Sequence, residues 1–274
     1  LVKNVKTGTP EIATTQDKSP YVYQRNKIQF PLNLRYPYDI TTKQQELIDL
    51  ILSKESKIIF VNGPAGTAKT LIGAYAGLTL LKEKHVSDII FVRSIIESAT
   101  RQMGALPGLL AEKFQPFTMP LNDKLVELLP AKDIEYLIKD NRIEYLPINF
   151  ARGASYNVKY ILGDECQNMS VGELLTLITR LGKFSKMVLC GDPSQSDLNG
   201  KSGFMKFFDL FNDQSSREQG IHCFSFTKDD IVIGQYDATI SALYLQRGIR
   251  FSIDSDVEGQ VSGLDGTFSL SITN

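Results

Sequence analysis

Residues 58–70 read Ile58-Ile-Phe-Val61-Asn62-Gly63-Pro64-Ala65-Gly66-Thr67-Ala68-Lys69-Thr70. The four apolar residues Ile58 to Val61 have the length and continuity of a short strand buried on both faces. An apolar helical pattern begins at Leu71. Strand, glycine-bearing turn and helix, in that order, are the setting in which the phosphate-loop pattern G-x-x-x-x-G-K-[ST] has a physical meaning. Gly63, Lys69 and Thr70 fit that pattern, whereas Ala68 stands where the second glycine belongs. Alanine there costs little if the backbone φ is negative and about 1–2 kcal/mol if it is left-handed.

The residue types follow from the chemistry. The N–H groups of a tight turn and of a helix N-terminus converge on one point and bind phosphate oxygens there. Gly63, Pro64, Ala65, Gly66, Thr67, Ala68, Lys69 and Thr70 form that candidate cradle. Lys69 reaches the β- and γ-phosphates, and the Thr70 hydroxyl ligates Mg²⁺. A strand-to-helix turn that binds nothing is the plain alternative, but it has no need of a Lys-Thr pair.

Working outward, 274 residues hold one large domain, or one domain with an appendage. With 42% hydrophobic and 22% charged residues the chain has the composition of a soluble globular protein. The net charge of −1 gives no overall positive field, so any nucleic-acid contact must come from a local basic patch. Cys166, Cys190 and Cys223 are widely spaced and odd in number, which reads as reduced core thiols in a cytoplasmic protein. His85 and His222 are unclustered and read as structural. No apolar run approaches membrane-spanning length, and the polar N-terminus is no signal peptide, so membrane association and export are not expected.

Residues 1–40 are polar and lack a helical period, as expected of an extended arm tied down by Tyr21, Tyr23, Phe30 and Tyr36 or of a disordered tail. A helix follows over 43–53, capped by Thr41 or Thr42. Strands are expected at 58–61, 88–93, 142–148, 159–165, 185–192 and 221–226, alternating with helices such as 71–84. That alternation predicts an α/β domain over 41–230, its mostly parallel central sheet flanked by helices. Between strands two and three lies an insertion over 94–140, with helical stretches broken by Pro116, Pro120 and Pro130. Residues 231–274 change to period-two alternation around Asp265-Gly266, the pattern of a β-rich C-terminal appendage containing a hairpin.

The strand Tyr160-Ile-Leu-Gly163 ends on two adjacent acids, Asp164 and Glu165. Hydrolysis at a phosphate loop needs an acid that holds Mg²⁺ and a carboxylate that polarises the attacking water, and this pair supplies both. Glu165 is what argues for a hydrolase over a protein that merely holds nucleotide, or over a kinase. Gln195, just beyond the strand ending Gly191-Asp192, is placed to sense the γ-phosphate. Gln44 or Gln45 could read an adenine edge, since an amide both donates and accepts, or could be a solvated helix face. Arg93, Arg101 and Arg152, at or after strand ends, are candidates for phosphate-backbone contacts of a nucleic acid; surface ion pairs are the alternative for each.

Gly63-Pro-Ala-Gly-Thr-Ala-Lys-Thr70, Met103-Gly-Ala-Leu-Pro107-Gly108, Arg152-Gly153, Asp164-Glu-Cys-Gln-Asn168 and Gly191-Asp-Pro-Ser-Gln195-Ser-Asp-Leu198, in this order, resemble the PhoH-like ATPases. The resemblance covers roughly residues 40–231. It implies a RecA-like P-loop domain similar to the first half of a superfamily 1 helicase. It also implies ATP and Mg²⁺ as cofactors, oligomerisation and RNA-linked roles. Two positions depart from the family pattern: Ala68, usually Gly, and Ile233 in Asp230-Ile-Val-Ile, usually Arg. That Arg would be a γ-phosphate or inter-subunit contact.

Two functions are therefore expected to compete. One is an ATPase of helicase-like type acting on RNA or single-stranded DNA, working as a homo-oligomer or ring because one RecA-like domain closes one side of its nucleotide. The other is an ATP-dependent switch that docks a partner without remodelling nucleic acid.

Overall fold

The computed structural model describes residues 31–36, 40–94, 110–151, 153, 155–198, 202–232, 259–263 and 266–270. Six strands form one sheet: β1 (Ile58–Asn62), β2 (Asp88–Arg93), β3 (Ile143–Pro147), β4 (Lys159–Asp164), β5 (Lys186–Gly191) and β6 (Ile221–Ser225). Their spatial order is β3-β2-β4-β5-β1-β6, and every neighbouring pair is parallel. The sheet is thus of the α/β, RecA-like kind. The strand before the phosphate loop (β1) and the strand carrying the two acids (β4) are separated by β5.

Unbroken apolar runs form these strands because both faces of the sheet are covered. Successive side chains alternate between the faces. Ile59 and Val61 enter a core with Ile72, Leu78, Leu121 and Leu137, while Ile58 and Phe60 enter a second core with Leu174, Leu177, Phe204 and Phe208. The first core lies under α1 (Thr42–Leu52), α2 (Lys69–Lys82), α3 (Leu110–Leu128) and α4 (Ala131–Lys139). The second lies under α5 (Val171–Ile178) and α6 (Phe204–Phe211), and a short α7 (Gln214–Glu218) precedes β6. Among the described residues no helix is long and apolar enough to cross a membrane.

Strand positions agree with the expected ones to within a residue or two, and β2 matches at both ends. Thr41 is the cap of α1: its hydroxyl accepts from Gln44 N at 3.2 Å, and Gln44 Oε1 accepts from Thr41 N at 3.1 Å. The expected breaks at Pro116 and Pro120 do not occur, because α3 runs continuously through both. Each proline removes one intrahelical hydrogen bond. Four positions apart, they remove the bonds to the carbonyls of residues 112 and 116, and the helix continues through both losses. Pro130 does bound a helix, at the N-cap of α4.

Part of the arm is seen. Leu32 is buried, Arg35 N donates to Leu128 O at 2.9 Å, and the Tyr36 ring meets Tyr75 edge-on with centroids 5.4 Å apart. Tyr21, Tyr23 and Phe30 lie outside the described residues. The hairpin near the C-terminus is β7 (Gly259–Gly263) paired antiparallel with β8 (Gly266–Leu270), Gly263 opposite Gly266.

Candidate nucleotide site

The phosphate loop joins β1 to α2 at the carboxyl end of the sheet, where open α/β sheets bind ligands. Gly63 is held between neighbours: its N–H donates to Gly191 O at 3.2 Å, and a Cβ there would stand 2.6 Å from Phe226 Cβ. Only glycine allows that approach. Ala68 is left-handed (φ 61°, ψ 23°), so the alanine sits in a conformation that suits glycine. The substitution therefore carries the steric cost of about 1–2 kcal/mol that an L-residue meets there. Helix α2 starts at Lys69 itself, two residues earlier than the apolar pattern announces.

Lys69 folds over the loop, its Nζ donating to Gly63 O at 2.6 Å and Pro64 O at 2.8 Å. The Thr70 hydroxyl donates to Asp164 Oδ1 at 2.7 Å, which joins the loop to the end of β4. Burial pushes the Asp164 carboxyl above the ordinary aspartate range and the charge of Glu165 adds to this, while the Thr70 hydrogen bond and Arg93 act the other way. A carboxylate desolvated in this way gains from a nearby cation. A hydroxyl and a carboxylate oxygen side by side are the hard donors that Mg²⁺ takes, with phosphate and water oxygens completing its shell. Among the described residues there is no group of three or more His, Cys, Asp or Glu able to cage a metal by itself. The residues thus fit Mg²⁺ that arrives with a nucleotide.

Glu165 turns off the strand end in a left-handed conformation (φ 51°, ψ 39°), a strain typical of functional positions. One of its oxygens accepts from Gln167 Nε2 at 2.5 Å, and the other lies 3.5 Å from Arg93 Nη2. Gln167 is buried, and its Oε1 accepts from Asp192 N at 3.0 Å. Asp192 Oδ2 in turn accepts from Ala65 N at 2.9 Å, so a chain of hydrogen bonds runs from Glu165 through Gln167 and Asp192 back to the loop. Nothing in the spacing of Gln167 and Asp192 marks them as site residues. Their signal was that both are polar residues just past buried strands.

Gln195 ends a single helical turn, Pro193–Gln195, capped by the Asp192 side chain. It lines the same cleft, about 280 Å³, as Lys69, Thr70, Asp164 and Glu165. Gln44 is not presented to that cleft as a base reader. It is 3% exposed, its Oε1 engaged in the α1 cap and its Nε2 donating to Thr67 O at 3.3 Å, so in this structure it braces the loop from behind. Gln45 lies on the exposed side and binds Tyr36 and Asp49. Of the three arginines, Arg93 faces Glu165, while Arg101 and Arg152 lie outside the described residues, as does Ile233.

A second cleft, about 510 Å³, adjoins the first and shares Thr70, Lys124, Asp164 and Glu165 with it. Its far wall is Arg93 with Met119, Pro120 and Asp123 of α3. Lys124 was missed by sequence reading, since nothing in the spacing of α3 tells which face meets the site.

The profile of the PhoH-like protein family matches residues 38–245. The chain belongs to the PhoH-like family. Relatives agree: a PhoH-like protein of Mycobacterium bovis is 35% identical over 194 residues, 70% of this chain and 53% of the relative. The PhoH-like protein of Bacillus subtilis is 39% identical over 145 residues, 53% of this chain and 45% of the relative. Protein PhoH of Escherichia coli is 33% identical over 162 residues, 58% of this chain and 46% of the relative. The chain thus spans about half the length of these PhoH-like relatives. Among solved structures, the Pif1 helicase from Candida albicans aligns with TM-score 0.34 at 14% identity, over 76% of this chain and 43% of that one.

Proposed function

We propose that this PhoH-like chain binds ATP with Mg²⁺, hydrolyses it, and couples hydrolysis to RNA or single-stranded DNA. The observation that carries the reading is the Thr70–Asp164 hydrogen bond of 2.7 Å, because it brings a loop hydroxyl and a strand-end carboxylate to one point beside Glu165. Lys69 would exchange the Gly63 and Pro64 carbonyls for phosphate oxygens, and the loop and α2 N–H groups would cradle the rest. Mg²⁺, held by Thr70 and Asp164, would draw negative charge from the phosphates. Glu165 would take the proton of the attacking water, and Gln195 would register the γ-phosphate.

The nucleic-acid part of the reading rests on Arg93. Its pairing with Glu165 is loose, and both side chains are partly exposed at 25% and 34%. A pair this long and still in reach of solvent is worth little more than a surface ion pair, which contributes about 0–1 kcal/mol. A nucleic-acid phosphate would displace Glu165 from Arg93 at little cost and so report its presence to the base. One such domain leaves the far side of the nucleotide to be closed by another surface, so the working form is proposed to be a homo-oligomer.

The test is the ATPase rate with Mg²⁺, alone and with RNA, single-stranded DNA or duplex DNA. Turnover should be abolished by Glu165→Gln with ATP binding retained, and Lys69→Ala should remove binding. Wild type that binds ATP but turns over none with any nucleic acid would instead make the protein an ATP-dependent switch. Sedimentation with ATP and Mg²⁺ should show an assembly, and a monomer would remove the oligomer from the reading.

A further inference from the structure

The walls of the two adjoining clefts carry three cations among the described residues: Lys69, Arg93 and Lys124. Two of them are engaged by the site itself, Lys69 by loop carbonyls and Arg93 by Glu165. Lys124 differs. Its partner, Glu127 Oε1 at 2.7 Å, lies one turn along α3 and belongs to neither cleft wall. The pair is exposed, its side chains 36% and 49% accessible, so an i,i+3 contact of this kind holds the ammonium with only a few tenths of a kcal/mol.

The position of Lys124 is specific. It lines both clefts together with Thr70, Asp164 and Glu165, the side of the site where metal and attacking water belong. That is the end at which a terminal phosphoryl group would lie, because Glu165 must reach the water that attacks it. That group carries its negative charge spread over three equatorial oxygens, which a diphosphate lacks at this place, and a cation beside them compensates that charge. We propose that Lys124 binds the terminal phosphoryl group of a nucleoside triphosphate, leaving Glu127 to do so, and that α3 thereby supplies from within the chain a cation that tells triphosphate from diphosphate. The proposal rests on the nucleotide reading above and adds to it a residue and a discrimination.

The experiment is a binding titration of the whole 274-residue chain, with Mg²⁺, against ADP and against a non-hydrolysable ATP analogue, for wild type, Lys124→Met and Lys124→Arg. Methionine keeps the aliphatic stem on an exposed helix face, and an unchanged melting temperature shows that the fold is kept. Wild type should prefer the triphosphate. Lys124→Met should weaken the analogue about ten- to a hundredfold, the range of a hydrogen bond to a charged group, and ADP less than about twofold. Lys124→Arg should restore most of the preference. Equal loss for both ligands, or none for either, overturns the role of Lys124 while leaving nucleotide binding intact, as does a wild type without preference. A wild type that binds neither ligand removes the parent reading as well.

Discussion

Arg93 Nη2 lies 3.5 Å from Glu165 Oε1, across a parallel register in which Arg93 of β2 stands opposite Asp164 of β4. The candidate base is therefore held from two sides, by a cation at one oxygen and by Gln167 at the other. The Gln167 contact is part of a buried network and is hard to release, whereas the Arg93 contact is longer and only partly buried, and so the weaker of the two.

Arg93→Ala should accordingly flatten the response to nucleic acid. The ratio of ATPase rates with and without the stimulating RNA or single-stranded DNA is expected to fall toward one. The basal rate should change by no more than about fivefold, the equivalent of about 1 kcal/mol. Binding of ATP should be unaffected, because Lys69 and Thr70 are untouched. A variant whose ratio equals that of wild type takes Arg93 out of the coupling.

Ala68 offers a stability test. Its φ of 61° costs an L-residue about 1–2 kcal/mol, while glycine there would lose about 0.4–1 kcal/mol through the greater freedom of the unfolded chain. The steric term wins. Ala68→Gly should stabilise by about 1 kcal/mol and raise the melting temperature by about 2–4 °C. A melting temperature at or below that of wild type would show that the loop relaxes around the alanine.

These two cases mark where the sequence was legible. The strands were, because Ile58–Val61 and Ile89–Val92 are apolar runs of the kind a doubly covered parallel sheet buries, and the acids follow directly from the end of β4. Ala68 raised the question of a left-handed turn but could not answer it, since φ is not written in residue identity. The continuity of α3 was hidden because Pro116 and Pro120 are read locally as breaks, and that the helix runs on through both lost hydrogen bonds shows only when it is built. Gln44 looked like an open amide, yet its neighbours across the fold, Thr67 above all, use it up. Lys124 was invisible for the same reason: which residues α3 turns toward β4 is decided by tertiary packing.

The pH dependence of stability should carry the mark of Lys186. Its side chain reaches the carboxyl end of α1, donating to Ile51 O and to Ser53 O, in a buried setting. Burial lowers its pKa from 10.5 to about 8. Below pH 8 the amine is charged in both folded and unfolded states, and burying that charge works against folding. Between about 8 and 10.5 the unfolded chain holds the extra proton, so stability should rise with pH, by at most about 3 kcal/mol. Chemical denaturation at pH 7.5 and pH 9.5 measures this, and Lys186→Met should remove the difference. Stability that is flat or falling across the window in wild type, relative to Lys186→Met, would mean that the two carbonyls keep the lysine charged.

Gly77 sets helix propensity against packing. Replacing an interior helical glycine by alanine ordinarily stabilises by about 0.8–1 kcal/mol. At Gly77, however, a Cβ would stand 2.5 Å from Cδ1 and Cε1 of Tyr160. That ring cannot step aside, being fully buried with its hydroxyl donating to Gly73 O at 2.7 Å on the same helix. Overpacking of a tight core costs about 1–3 kcal/mol, so Gly77→Ala should destabilise by about 1–2 kcal/mol net. Gly172, in the first turn of α5, provides the contrast, since its Cβ would meet nothing within 4 Å and Gly172→Ala should stabilise, by less than at an interior position. Because α2 begins at Lys69 and Thr70, pushing it off β4 also separates Thr70 from Asp164, and Gly77→Ala should weaken Mg²⁺-dependent ATP binding while Gly172→Ala does not. If both variants gain stability, the contact between α2 and Tyr160 is softer than these distances require.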